Sequence, residues 1–159
     1  MQSDKKEKFY ITTAIDYVNS SPHIGHALEK VQADVVARYQ RLRGKDTFFL
    51  TGTDEHGAKI VRAAEEAGVG VEVFVDSNVK KFQELIAKLN ISNDAFIRTT
   101  DKKRHWPAVE KIWKQLADRG DLYKKKYQGL YCVGHEAFVT QKDLADGVCS
   151  LHKKEPEKV

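Results

Sequence analysis

Apolar residues along this chain follow two different periods, and the switches between them mark out its elements. Phe9-Tyr10-Ile11-Thr12-Thr13-Ala14-Ile15, rich in β-branched and aromatic residues, predicts a buried strand. After the turn-prone Asn19-Ser20-Ser21-Pro22, apolar residues at Ile24, Leu28, Val31, Val35, Tyr39 and Leu42 step by three and four. That spacing marks one face of a helix, and Gly44 is suited to end it. A second buried strand is expected at Thr47–Thr51, a short helix from Ala58 to Ala67 stopped by Gly68, and a longer one from Val73 to Leu89. The longer one carries Val75, Val79, Phe82, Ile86 and Leu89 on one side. Ala95-Phe96-Ile97 reads as a third strand, and Asp101 as the cap of a helix with Trp106, Val109, Ile112, Trp113 and Leu116 on its apolar face.

Strands alternating with helices define an α/β domain with a parallel, Rossmann-like sheet. The texture changes after Gly120. Leu122–Tyr127 and Leu130–Val133 are short alternating runs around Gln128-Gly129, which predicts a hairpin. A boundary is therefore placed near residue 120, with residues 1–120 as the α/β part and 121–159 as the start of a small insertion. Residues 1–8 are polar and read as a frayed start. The final residues carry no closing element, so the chain reads as cut rather than finished.

Composition narrows the class. With 41% hydrophobic and 31% charged residues, the chain has an ordinary soluble make-up. No apolar run nears the roughly 18 residues needed to span a bilayer, and the charged start is not a secretory signal. A cytoplasmic protein with no membrane partner is expected. The net charge of +4 permits a nucleic-acid partner without requiring one. Its basic clusters, Lys102-Lys103-Arg104, Lys124-Lys125-Lys126 and Lys153-Lys154, read first as a solvated face and only second as an RNA contact.

The most informative stretch is His23-Ile24-Gly25-His26, between the first strand and the long helix. Ligands of parallel sheets bind at the carboxyl ends of the strands. A helix start offers unpaired N–H groups and a positive dipole end to an anion. His23 and His26, three apart, lie on one side of the first turn, where each can donate to a phosphate oxygen. Gly25 has no side chain, so a flat base can lie against the backbone.

Ile11–Asn19 followed by Pro22-His23-Ile24-Gly25-His26 resembles the signature of class I aminoacyl-tRNA synthetases. Phe49-Leu50-Thr51-Gly52-Thr53-Asp54-Glu55-His56-Gly57 resembles the methionyl-tRNA synthetases in particular. Asn90-Ile91-Ser92, Phe96–Thr100 and Gly129-Leu130-Tyr131-Cys132 are also similar to that family. The resemblance implies a methionine–tRNA ligase, which activates methionine with ATP to methionyl-adenylate and passes it to tRNA. The chain would be the first half of the nucleotide-binding fold, with Mg2+ accompanying ATP. His23 and His26 would hold the phosphates and act in catalysis, and Gly25 would lie near the adenine. Asp54 and the main-chain carbonyl of Ile15 would hold the methionine ammonium group. Tyr17 would line the amino-acid pocket, and His56 would help to shape it or brace the loop. Asp54 alone would read as a helix N-cap.

Two departures qualify the resemblance. Asp16 stands where the family carries an aromatic residue or proline, and its role is left open. The second family signature, Lys-Met-Ser-Lys-Ser, has no match in this sequence, so little or no aminoacylation is expected of this chain without the missing C-terminal half as partner. Cys132-x-x-His135 and Cys149-x-x-His152 have zinc spacing. The family often carries a zinc knuckle here, commonly with Cys at the position of His135. Two buried cysteines beside two surface histidines would be the metal-free reading. Alternatives to the ligase are a small nucleotidyltransferase sharing the histidine pair, and a non-catalytic RNA-binding module.

Overall fold

A computed structural model describes residues 6–159. The chain divides into two compact units, Met1–Glu110 and Lys111–Val159.

In the first unit, β1 (Lys8–Thr12), β2 (Asp16–Tyr17), β3 (Asp46–Asp54) and β4 (Ala95–Arg98) form one parallel sheet. β3 is its centre. β1 and then β2 run along one edge of it, with Thr12 beside Leu50 and Asp16 beside Thr53. β4 takes the other edge, from Ala95 beside Leu50 to Arg98 beside Thr53. Thr13, Ala14 and Ile15 span the gap that β3 crosses with Thr51 and Gly52 alone, so this edge carries one extra residue, a bulge. The strand expected as continuous from Phe9 to Ile15 is therefore broken, and the break lies beside the helix start.

Connecting these strands are α1 (Ile24–Leu42), α2 (Ala58–Glu66) and α3 (Val71–Lys88). Gly44 and Gly68 follow the first two in the left-handed region, with φ of 80° and 68°. Val18, Ile60, Val75, Val79 and Phe82 form one buried cluster, so the apolar side read for α3 does pack inward. Leu89, at the end of that side, is exposed. A second cluster joins Ala33 and Ala37 of α1 to Phe49.

The apolar stripe of α1 is not the face that packs. Leu28, Val35 and Tyr39 are exposed, and Ile24 and Leu42 are 86% and 87% exposed. The buried face is Lys30, Ala33, Asp34 and Ala37. Two alanines bring the helix close to Phe49, while Asp34 accepts bonds from the Ser92 amide and hydroxyl and from Arg38. On the sheet itself, Tyr10 and Phe48 stack with ring centroids 6.0 Å apart and are both exposed.

The expected frayed start lies outside the described residues as far as residue 5. Glu7 and Lys8 are ordered: the Glu7 carbonyl accepts the Asp46 amide at 2.9 Å, and Lys8 begins β1. Asp101 caps the turn ahead of the expected helix rather than the helix itself: its Oδ1 accepts the Lys103 and Arg104 amides at 2.9 Å, and the helix begins only at Trp106. The helix α4 (Trp106–Asp118) that follows buries none of its residues.

The second unit corrects the hairpin. Leu122–Tyr127 forms no strand. Instead β5 (Leu130–Cys132) pairs antiparallel with β6 (Ala137–Val139), and the turn falls at 133–136. Phe138 lies across from Tyr131 in this pair, with its ring edge-on to both Tyr131 and Tyr127. The lysine run 124–126 stays exposed. β7 (Leu144–Ala145) and β8 (Val148–Cys149) form a second short pair. β9 (Glu157–Lys158), where no element was expected, pairs antiparallel with β5. Among the described residues, no helix is long and apolar enough to cross a membrane.

Candidate nucleotide and amino-acid site

His23 is the N-cap of α1, and its ring Nδ1 accepts the Gly25 amide at 3.1 Å. His26 completes the box: its Nδ1 accepts the His23 amide, also at 3.1 Å. Each ring thus spends Nδ1 as an acceptor on the helix start. A neutral imidazole that accepts on one nitrogen carries its proton on the other. Both rings therefore present Nε2–H, the form that donates to an anion. They lie with centroids 3.8 Å apart, and His26 sits edge-on to Phe82 at 5.1 Å. Burial pushes His26 below the ordinary imidazole value, and neighbouring His23 adds to this, against the pull of Asp16. The neutral donor form is favoured.

Gly25 has a steric reason as well. A Cβ there would come within 2.9 Å of the His23 ring, which caps the helix. The loop leading into α1 is pinned by α3, a brace with no signal in the sequence. Asn78 Nδ2 donates to the Val18 carbonyl at 2.8 Å, and Lys81 Nζ to Ser21 Oγ at 3.1 Å.

Tyr17 and Asp54 are brought together as direct register partners at the carboxyl ends of β2 and β3. Asp54 is not the cap of α2, since Gly57 holds that position with a φ of 113°. The Asp54 carboxylate accepts the His56 amide at 3.4 Å. Ile15 lies in the bulge, beside this pair in sequence and 42% exposed. His56 Nε2 lies 3.3 Å from the Thr99 carbonyl, and the ring lines a cavity of about 450 Å³ with Arg98 and Trp106.

Glu55 braces the loop. It is 3% exposed and accepts from Thr53 Oγ1, Thr100 Oγ1 and both ends of the Arg98 guanidinium. Arg98 also reaches Asp76 at 2.6 Å, and these bonds, Glu55 first, raise its already high value further. Asp16 is buried rather than solvent-facing. Its Oδ1 pairs with Lys30 Nζ at 2.9 Å, and Lys30 is itself only 1% exposed. Burial pushes the Asp16 carboxyl up, more than the Lys30 bond draws it down.

In the second unit the four sequence-predicted metal residues meet. Cys132, His135, Cys149 and His152 each place one ligand atom within 4.8 Å of the others. Cys149 Sγ lies 3.5 Å from His135 Nδ1 and 3.6 Å from His152 Nδ1, and Cys132 Sγ lies 3.8 Å from His152 Nδ1. Tetrahedral zinc with ordinary Zn–S and Zn–N bonds separates S and N ligands by about 3.6 Å. The donor set and spacing fit that ion. Gly134 is needed here, since a Cβ would meet the His152 ring at 2.4 Å.

A parallel sheet with a helix start and a carboxylate at the carboxyl ends of adjoining strands is the arrangement of a nucleotide-binding α/β fold. A family model described as tRNA synthetases class I (M) matches residues 9–158, and the chain belongs to that family. It is 50% identical to the methionine–tRNA ligase of Deinococcus radiodurans over 90% of this chain and 21% of that protein. It is 47% identical to the enzyme of Listeria monocytogenes serotype 4b over 100% of this chain and 23% of that protein. The chain therefore spans under a quarter of the length of these relatives. The solved Mycobacterium tuberculosis methionyl-tRNA synthetase in complex with methionyl-adenylate superimposes with a TM-score of 0.89 at 40% identity, covering 96% of this chain and 31% of that one. The LeuRS of Agrobacterium radiobacter K84, at 20% identity and a TM-score of 0.79, shows the fold alone.

Proposed function

We propose that this chain is the ATP- and methionine-binding part of a methionine–tRNA ligase, with His23 and His26 as the phosphate-holding pair. The observation that carries this reading is the capping box, which commits both Nδ1 atoms and leaves two Nε2–H donors at the helix start. Methionine's carboxylate oxygen would attack the α-phosphorus of ATP. A bond to that oxygen forms as the bond to the bridging oxygen of the β-phosphate breaks, giving methionyl-adenylate and pyrophosphate. Charge grows on the phosphate oxygens during this step, and two fixed N–H donors with a helix dipole behind them stabilise it. Mg2+ would accompany the triphosphate as its counter-ion. Gly25 leaves room for adenine against the backbone.

The amino-acid subsite would be built at the strand ends. Asp54 and the Ile15 carbonyl would hold the ammonium group, fixing the carboxylate for attack. Tyr17 would line the pocket and His56 shape its rim. Residues 1–120 would form the α/β part and 121–159 the start of the insertion, where zinc held by Cys132, His135, Cys149 and His152 would close the small β unit. Such an ion contributes folding energy directly. The exposed α1 stripe and the Tyr10–Phe48 face would pack against the remaining length of a full ligase, since parallel sheets are normally covered on both faces. Transfer to tRNA would need that remainder. A cytoplasmic setting follows from the reading.

The test is a heteronuclear NMR titration of the chain with a stable methionyl-adenylate analogue. Shifts centred on residues 15–17, 23–26 and 54–56 are expected. Saturable shifts elsewhere, with these residues silent, would overturn the reading.

A further inference from the structure

The buried Asp16–Lys30 pair has no part in the chemistry above, yet it sits between the two subsites. Lys30 lies one turn beyond His26 on α1. Its Nζ reaches three acceptors: Asp16 Oδ1 at 2.9 Å, Glu29 Oε2 at 3.3 Å and the Ala14 carbonyl at 3.4 Å. An ammonium has three donors, so this one is saturated. The neighbouring Glu29 accepts the Ala14 amide on its Oε1 at 2.9 Å. Both main-chain groups of Ala14 are thus held by consecutive residues of α1, while the Asp16 side chain is held by one of them. Ile15 lies between these two anchors, inside the bulge that interrupts the sheet edge.

A bulge leaves its extra residue outside the ladder, and something else must fix its direction. Among the described residues, β3 reaches Ala14 only through the Thr13 hydroxyl, which donates to the Ala14 carbonyl at 2.7 Å and lies 2.7 Å from Thr51 Oγ1, whereas α1 holds both sides of Ile15 through the buried Asp16–Lys30 pair and the half-exposed Glu29. We propose that Lys30, acting through Asp16 and the Ala14 carbonyl, is a positioning residue that sets the Ile15 main chain at a fixed offset from the phosphate-binding histidines. Building on the functional reading above, it aligns the amino-acid subsite with the nucleotide subsite. The histidines hold themselves by their own capping box and do not depend on it.

The proposal separates the two ligands. In the 159-residue chain, Lys30→Met should weaken L-methionine binding about 10-fold and change ATP binding by less than about 2-fold. Amide exchange at Ala14 and Asp16 should speed up by a similar factor, with Gly52 and Thr53 in the sheet centre unchanged. Lys30→Met leaves a buried carboxylate unpaired and can unfold the chain. The double variant Asp16→Asn/Lys30→Met removes both charges and should give the same split. Equal losses for both ligands in the folded double variant would reduce the pair to a general support of the fold and overturn the proposal. Unchanged methionine binding and exchange would also overturn it. The exchange arm judges the clamp even if the wild-type chain binds no methionine, an outcome that would strike the functional reading instead.

Discussion

His23 and His26 each do two jobs with one ring. Nδ1 caps the helix from within, which leaves Nε2 to carry the proton of the neutral ring. Burial lowers the His26 value, so the fold favours its neutral ring, whose Nδ1 can accept the cap bond. The sign follows. A base with a depressed folded value contributes stability above its unfolded value, about 6.5 for histidine, and loses it as pH falls through that range. Thermal melts of the chain should show stability dropping between pH 7 and 5, and His26→Ala should flatten that slope. Nitrogen NMR at neutral pH should find the Nε2–H tautomer in both rings, and a proton on Nδ1 of either would contradict the capping geometry. The histidines were legible in the sequence because their spacing and helix-start context carry the chemistry. The Asp16–Lys30 pair was not. A lysine in the second turn of a helix reads as a solvated residue, and only the tertiary fold places it over the bulge. Removing one charge leaves the other stranded and should cost about 3–5 kcal/mol, while the neutral double variant should be near wild type or more stable.

At the level of elements, the three parallel strands and the first three helices were legible, because each has a clean period and a glycine or polar stop. What failed was orientation. The α1 stripe of large apolar residues looked like a packing face, but Ala33 and Ala37 permit a closer approach to Phe49, and the stripe is left outside. Periodicity identifies a face without saying what covers it. The hairpin around Gln128-Gly129 failed for a related reason: Gly129 is a pairing position facing Val159, not a turn. Gly52 carries a sharper constraint. A Cβ there would meet the Ile97 carbonyl oxygen at 2.1 Å across the β3–β4 pair. Gly52→Ala should therefore lower the urea midpoint by the equivalent of about 1–3 kcal/mol, and an unchanged midpoint would show that β4 moves freely.

For the whole molecule, the two compact units hold separate side-chain clusters, the helix-start histidines with Asp54 in one and Cys132, His135, Cys149 and His152 in the other. Protein purified without chelator should hold one zinc ion per chain. Cys149→Ser should abolish this and melt β5–β9 while the parallel sheet keeps its amide protection. A metal-free chain with that small sheet intact would remove zinc from the account. In the proposed function, the start of α1 grips the ATP phosphates. The measurement that tests it most directly is calorimetric titration of Mg–ATP into the chain and into the His23→Ala/His26→Ala variant. Saturable binding that weakens 10-fold or more in the variant, about 1.4 kcal/mol or greater, is expected. Equal affinity in the two proteins, or no binding to the wild-type chain, would contradict it.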